Sequence, residues 1–184
     1  MKEPSAHLLE SIRFAVWSGF YAPEELRDIA DEVWEDDLDE DALRSAVALE
    51  FERKAQAERA WPAVTDCDRL DAAFESAERD GFITLQNAGY TQSDGLAEVL
   101  ALRNERGGSA LRYCFYHGQD LERALEGDGL LIAFGAFFDD AMVIDAGERL
   151  VSILERAGLD VAWDGDPEQR ILLPNVAWMR RTPR

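Results

Sequence analysis

The stretch RYCFYHGQDLERAL, residues 112–125, holds the side chains whose types and spacing come closest to chemistry. Cys114 and His117 stand in C-x-x-H spacing, which supplies half of a zinc site. No second C-x-x-C or H-x-x-x-H accompanies it, and the only other histidine is His7. Side chains alternate along a regular strand, so Cys114 and His117 point to opposite faces unless the strand ends or bulges at Tyr116. The same separation weakens a Cys114 nucleophile, which needs a base within reach and an electropositive setting. A cysteine between aromatics reads more simply as a small core residue. Cys67, the other cysteine, is flanked by Asp66 and Asp68, which oppose a thiolate. Neither a metal nor a cofactor is expected.

Two polar turns are more suggestive. One predicted strand, FITLQ, runs into Gln86, Tyr90, Gln92, Ser93 and Asp94, and a second, LRYCFYH, runs into His117, Gln119 and Asp120. Were these strands parallel and adjacent, both turns would leave the sheet at its C-terminal edge, where open α/β sheets form ligand crevices. His117 would then be the first candidate acid or base, with Asp120 or Asp94 orienting it and Cys114 nearby. The plainer reading uses the same residues as scaffolding. Ser93 or Asp94 and Asp120 cap helices, glycines permit the turns, and His117 bonds to a neighbour.

Acid dominates the rest of the chain. Lys and Arg number 19 against 38 Asp and Glu, a formal charge of −19, which disfavours phosphate backbones and anionic lipid by repulsion. Nucleic-acid and membrane partners are therefore not expected. Between Glu24 and Asp41 lie eleven acids and one arginine. An EF-hand beginning at Asp37 fails, because its glycine would fall on Ala42 and its bidentate glutamate on Ala48. The segment is either a solvated face or a docking surface for a basic protein, with Glu35, Asp36, Asp37 and Asp39 as the contact candidates. Glycine spacing matches neither a P-loop nor a dinucleotide fingerprint. The N-terminus lacks a signal-peptide layout, since Glu10 and Arg13 interrupt its apolar residues. With two cysteines and no framework for pairing them, a cytoplasmic setting is the expectation.

The elements that must position these residues follow from periodicity. Leu9, Ile12, Val16, Trp17 and Phe20 make one helical stripe, Leu26, Ile29, Ala30, Val33 and Trp34 a second, and Leu43, Val47 and Phe51 open a third. Trp61-Pro62 breaks the pattern, which separates a helical arm, residues 1–61, from residues 62–184. Beyond it helices alternate with strands: a helix with Leu70, Ala73, Phe74 and Ala77 buried, FITLQ, a helix stopped at Gly107-Gly108, LRYCFYH, a short helix, the central strand LLIAFGAFF, a helix around Leu150 and Leu154, and a closing hairpin of DVAW and RILL. The expected fold class is α+β, a helical subdomain followed by a mixed sheet covered by helices in a ferredoxin-like or related two-layer arrangement.

The strings WPAVTDCDRLDAAF, LQNAGYTQSDG, YCFYHGQDLERAL and WDGDPEQRILL together resemble a bacterial family of domains of unknown function that carries similar segments in this order. That resemblance implies no activity and no catalytic residues. A partial one, over parts of residues 66–175, is to the regulator B family of ribonuclease E inhibitors, through DRLDAAFESAERDGFITL, LLIAFGAF and VIDAGERLVSILERAGL. It implies a ferredoxin-like fold and regulation by contact, and the YTQSDG and FYHGQD turns have no counterpart in it. The functional expectation is a non-enzymatic acidic regulator or adaptor that binds a protein. The alternative is a small-molecule-binding protein or enzyme built on the two turns.

Overall fold

The structure is a computed structural model that describes residues 5–26, 40–139 and 141–183. The acidic candidates Glu35, Asp36, Asp37 and Asp39, and most of the second helical stripe, lie outside the described residues. The chain divides into two compact units, residues 1–65 with 179–184, and residues 66–178. The expected boundary at residue 61 thus falls inside the first unit, and the C-terminal tail joins the helices instead of the sheet.

In the first unit, α1 (Ala6–Ser18) begins where the Ser5 hydroxyl accepts from the Leu8 amide at 3.2 Å. It stops at Gly19, whose φ of 77° suits glycine. Ile12, Val16, Leu26, Leu43 and Val47 form the core, the last two from α2 (Glu40–Glu58). Lys54 of α2 is fully buried, and its ammonium donates to the Val16 carbonyl at 3.0 Å. It adds a second donor to a last-turn carbonyl of α1 that also accepts from the Gly19 amide at 3.3 Å. The tail is tied down by Thr182, which donates to Glu58, and by Arg181, which donates to the Pro62 carbonyl. Gly19 also lets the tail approach, since a Cβ there would lie 2.6 Å from the Arg180 side chain.

The second unit runs α3 (Asp66–Arg79), β1 (Phe82–Leu85), α4 (Gln92–Glu105), β2 (Arg112–Phe115), α5 (Gly118–Glu126), β3 (Leu130–Ala136), α6 (Ala141–Arg156) and β4 (Ile171–Leu173). The strands form one sheet in the order β1-β2-β3-β4, with β1 and β2 parallel and the other pairs antiparallel. The expected closing hairpin is reduced to β4 and a single bridge at Ala162.

Alternation along β2 sorts the helices. Phe115 packs with Ile83, Ala133 and Val99 of α4, whereas Tyr116, one residue on, meets Phe74 of α3 edge-on at 5.9 Å. Phe134 meets Trp163 at 5.4 Å, and Gly147 of α6 lies so close to both rings that a Cβ would fall 2.5 Å from Trp163. Helices therefore cover both faces, α4 on one, α3 and α6 on the other. The fold is α+β, as expected from the sequence. Within that class the order is sequential, whereas a ferredoxin-like sheet inserts a strand between its parallel pair. No described strand lies between β1 and β2, and the second helical face adds a layer to the two expected.

Candidate functional site

The two polar turns meet because β1 and β2 are parallel neighbours. Their register, Phe82 to Arg112 through Leu85 to Phe115, brings both chain ends out together. The strand pairing then continues as backbone bonds between the turns: Ala88 N–H to the Tyr116 carbonyl at 2.9 Å, Gly118 N–H to Gly89 at 3.0 Å and Gln119 N–H to Tyr90 at 3.2 Å. Gly118 is required by this approach, since a Cβ there would lie 2.8 Å from the Tyr90 ring.

Each turn also opens a helix. Thr91 is the N-cap of α4, with its hydroxyl accepting from the Asp94 amide while the Asp94 carboxylate accepts from the Thr91 amide at 2.9 Å. This is a capping box, which satisfies two orphan donors reciprocally. The bonds from Thr91 hold the Asp94 carboxyl below the usual aspartate range. His117 is the N-cap residue of α5, and its amide donates to Asp120 Oδ2 at 3.2 Å.

Asp120 is almost wholly buried, and both of its oxygens are engaged. Oδ1 accepts from Arg170 Nη1 at 2.8 Å, and Oδ2 lies 3.0 Å from His117 Nε2 as well as facing the His117 amide. Arg170 Nη1 is also 3.2 Å from the same Nε2. A guanidinium only donates and a carboxylate only accepts, so one Nε2 cannot satisfy both neighbours. The imidazole is buried, and burial pushes its pKa down, reinforced by Arg170 and opposed by Asp120 and Asp94. The neutral ring results at neutral pH. The Tyr90 backbone also faces the ring and favours its proton, while Nδ1 is buried and makes no hydrogen bond of ordinary geometry among the described residues.

The remaining candidates separate into three places. Gln86 bridges inward, donating to Asp71 at 2.8 Å and accepting from the buried Tyr116 hydroxyl at 2.9 Å. Tyr90 lies outside, half exposed, with its hydroxyl donating to Glu122, and that carboxylate raises the phenol pKa. Gln92, Ser93 and Gln119 are exposed. Cys114 is fully buried, and burial drives its thiol pKa strongly up, which removes it as a nucleophile at neutral pH. Cys67 is buried as well. Among the described residues no three His, Cys, Asp or Glu side chains gather as a metal set.

Two clefts stand apart from the turns. One, of about 70 Å³, is lined by Asp66, Asp160 and Asn175, and one, of about 360 Å³, lies at the opposite end of β1 and β2 between Asp80, Phe82, Arg106 and Arg112. Arg170, Glu122 and Asp71 are members of the turn cluster that sequence reasoning missed. The only signal for Arg170 was its place in the string WDGDPEQRILL, which shares the family resemblance with YCFYHGQDLERAL. The two strings meet in the fold through Arg170 and Asp120.

No described helix is long and apolar enough to cross a membrane. Among the curated proteins and the solved structures, none matches the chain. The partial resemblance to the ribonuclease E inhibitors is not shown. A family model does match, over residues 1–182, and the chain belongs to the family it describes, Domain of unknown function (DUF6891).

Proposed function

We propose that this chain acts by binding another protein, in a cytoplasmic setting, and not by catalysis. The observation that carries the reading is the closure of the His117, Asp120 and Arg170 cluster. A general base needs an accessible lone pair near a reacting atom. Here the imidazole and carboxylate are buried, both Asp120 oxygens are engaged, by Arg170 and the His117 amide, and burial of the ring, joined by Arg170 and outweighing the pull of Asp120, opposes proton uptake. The cluster thus serves to lock a turn, and the charge of −19 favours a basic partner.

The test is capture from a lysate of the source organism with crosslinking, using the native chain, a His117→Gln variant and a charge reversal of Glu35, Asp36, Asp37 and Asp39. A specific protein recovered by the first two and reduced by the third supports the reading. No specific protein in any arm counts against it.

The second reading is a small-molecule site at the same turns, favoured by their direct hydrogen bonding and by the buried Nδ1 of His117, which makes no hydrogen bond of ordinary geometry among the described residues. It requires Arg170 or Tyr90 to move aside. A native mass exceeding the denatured mass, with the excess lost in His117→Gln, would put this reading first.

A further inference from the structure

α4 buries Gly95 and Val99 against the sheet and leaves most of its circumference to solvent. At 3.6 residues per turn, Leu96, Ala97, Leu100 and Ala101 share one outward sector, and all four are exposed, Leu96 by 37% and Leu100 by 43%. Ser93 and Asn104 are the only polar residues inside that sector, and neither is charged. The adjoining sector carries Asp94, Glu98 and Glu105, all exposed. At its C-terminal end the stripe meets Arg103, whose guanidinium lies 4.4 Å from the ring of Phe138, itself 66% exposed. A helix lying on a sheet ordinarily turns charged residues outward. α4 instead offers an uncharged apolar stripe bordered by acids.

We propose that this surface receives an amphipathic helix of a partner protein, with apolar residues on Leu96 and Leu100 and lysine or arginine along the flank facing Asp94, Glu98 and Glu105. The proposal rests on the protein-binding reading and deepens it by naming the surface and the partner's chemistry. Charge decides the occupant. A second copy would bring its own −19 and the same acidic border, and an anionic lipid surface is repelled for the same reason. A helix with a basic flank gains both the apolar contact and the opposite sign.

The experiment uses the full chain and a fluorescent helical peptide of about 18 residues, five turns, built from leucine on one stripe and lysine on its flank, with a leucine and glutamate peptide as control. Saturable binding of the lysine peptide alone is expected. Leu96→Gln with Leu100→Gln, and separately Glu98→Lys with Glu105→Lys, should each weaken it about tenfold, or ~1.4 kcal/mol. Glu148→Lys with Glu155→Lys on α6, which are also exposed, makes the same charge change and should leave binding within about twofold. Circular dichroism checks that these surface variants keep their helix content.

Equal weakening by both charge pairs, no effect of the leucine pair, or no binding at all overturns the proposal. So does a dimer of the native chain that the leucine pair dissociates, since the occupant is then a second copy. A lysate partner that survives the leucine pair would leave the protein-binding reading standing and remove this surface from it.

Discussion

Arg170 reaches back across 50 residues to donate to Asp120 at 2.8 Å, so the loop before β4 is fastened to the first turn of α5 by one ion pair. Breaking a buried pair from one side leaves a charge stranded and costs about 3–5 kcal/mol. Arg170 keeps 29% of its side-chain exposure, which screens the interaction, so Arg170→Ala should destabilise the chain by about 1–3 kcal/mol. Asp120→Ala should cost more, because it also removes the carboxylate that caps the His117 amide. Denaturant unfolding of both single variants and the double variant gives the coupling. A coupling near zero would show that the pair is not a lock.

His117 makes the same cluster sensitive to acid. Its folded pKa lies below the ordinary histidine value, chiefly through burial, so the unfolded chain takes up the proton first as pH falls. Stability from this group is complete above the unfolded pKa of about 6.5 and is lost as pH drops through the folded value. Asp94 and Asp145, whose carboxyls are lowered by their own partners, give way only at more acidic pH. Stability should therefore begin to decline just below about pH 6.5, and His117→Gln should remove that first decline while keeping the later one. A native profile that stays flat until the carboxylates titrate would contradict the neutral assignment of the ring.

Much of the turn cluster was legible in the sequence because caps are local. Asp94 and Asp120 read as helix-capping residues, and in the fold they accept from the N-cap amides of Thr91 and His117 three residues earlier, so the N-cap positions themselves fall on Thr91 and His117 and not on Ser93, Asp94 or Asp120. The parallel pairing of β1 and β2 was a condition the sequence could state and not decide, since pairing partners depend on contacts between segments far apart. Arg170 was hidden for the same reason. Nothing in its neighbourhood distinguishes an arginine that reaches a buried aspartate from one that faces water. Strand alternation does not decide how Cys114 and His117 are placed, since β2 ends at Phe115, with Cys114 inside the strand and His117 beyond it as the N-cap residue of α5.

Cysteine burial supplies a third expectation. Cys67 and Cys114 are buried and form no disulfide, and the Cys114 thiolate is strongly disfavoured by burial. A chromogenic disulfide reagent should label neither thiol on the minutes scale in the native chain and both in concentrated guanidinium. Cys114→Ser should be destabilising by about 1–3 kcal/mol, since a hydroxyl replaces a thiol where there is no water to solvate it. Rapid native labelling of Cys114 would mean that β2 opens readily.

Gly95 gives the sharpest contest between two physical effects. Glycine inside a helix is worse than alanine by about 1 kcal/mol, so Gly95→Ala in α4 should stabilise the chain if local propensity decides. The fold argues the reverse, because a Cβ at this position would fall 2.3 Å from Cε2 of Phe115 and 2.9 Å from the Ala88 carbonyl. Phe115 is itself buried against Ile83, Val99 and Ala133 and has little room to yield. Overpacking of this kind costs about 1–3 kcal/mol, and the backbone carbonyl cannot rotate away as a flexible side chain would. The packing term should therefore win, with a net loss of about 1–2 kcal/mol in denaturant unfolding and weakened amide protection at Ala88, whose bond to Tyr116 holds the two turns together. A stabilised Gly95→Ala variant would show that α4 can lift from β2.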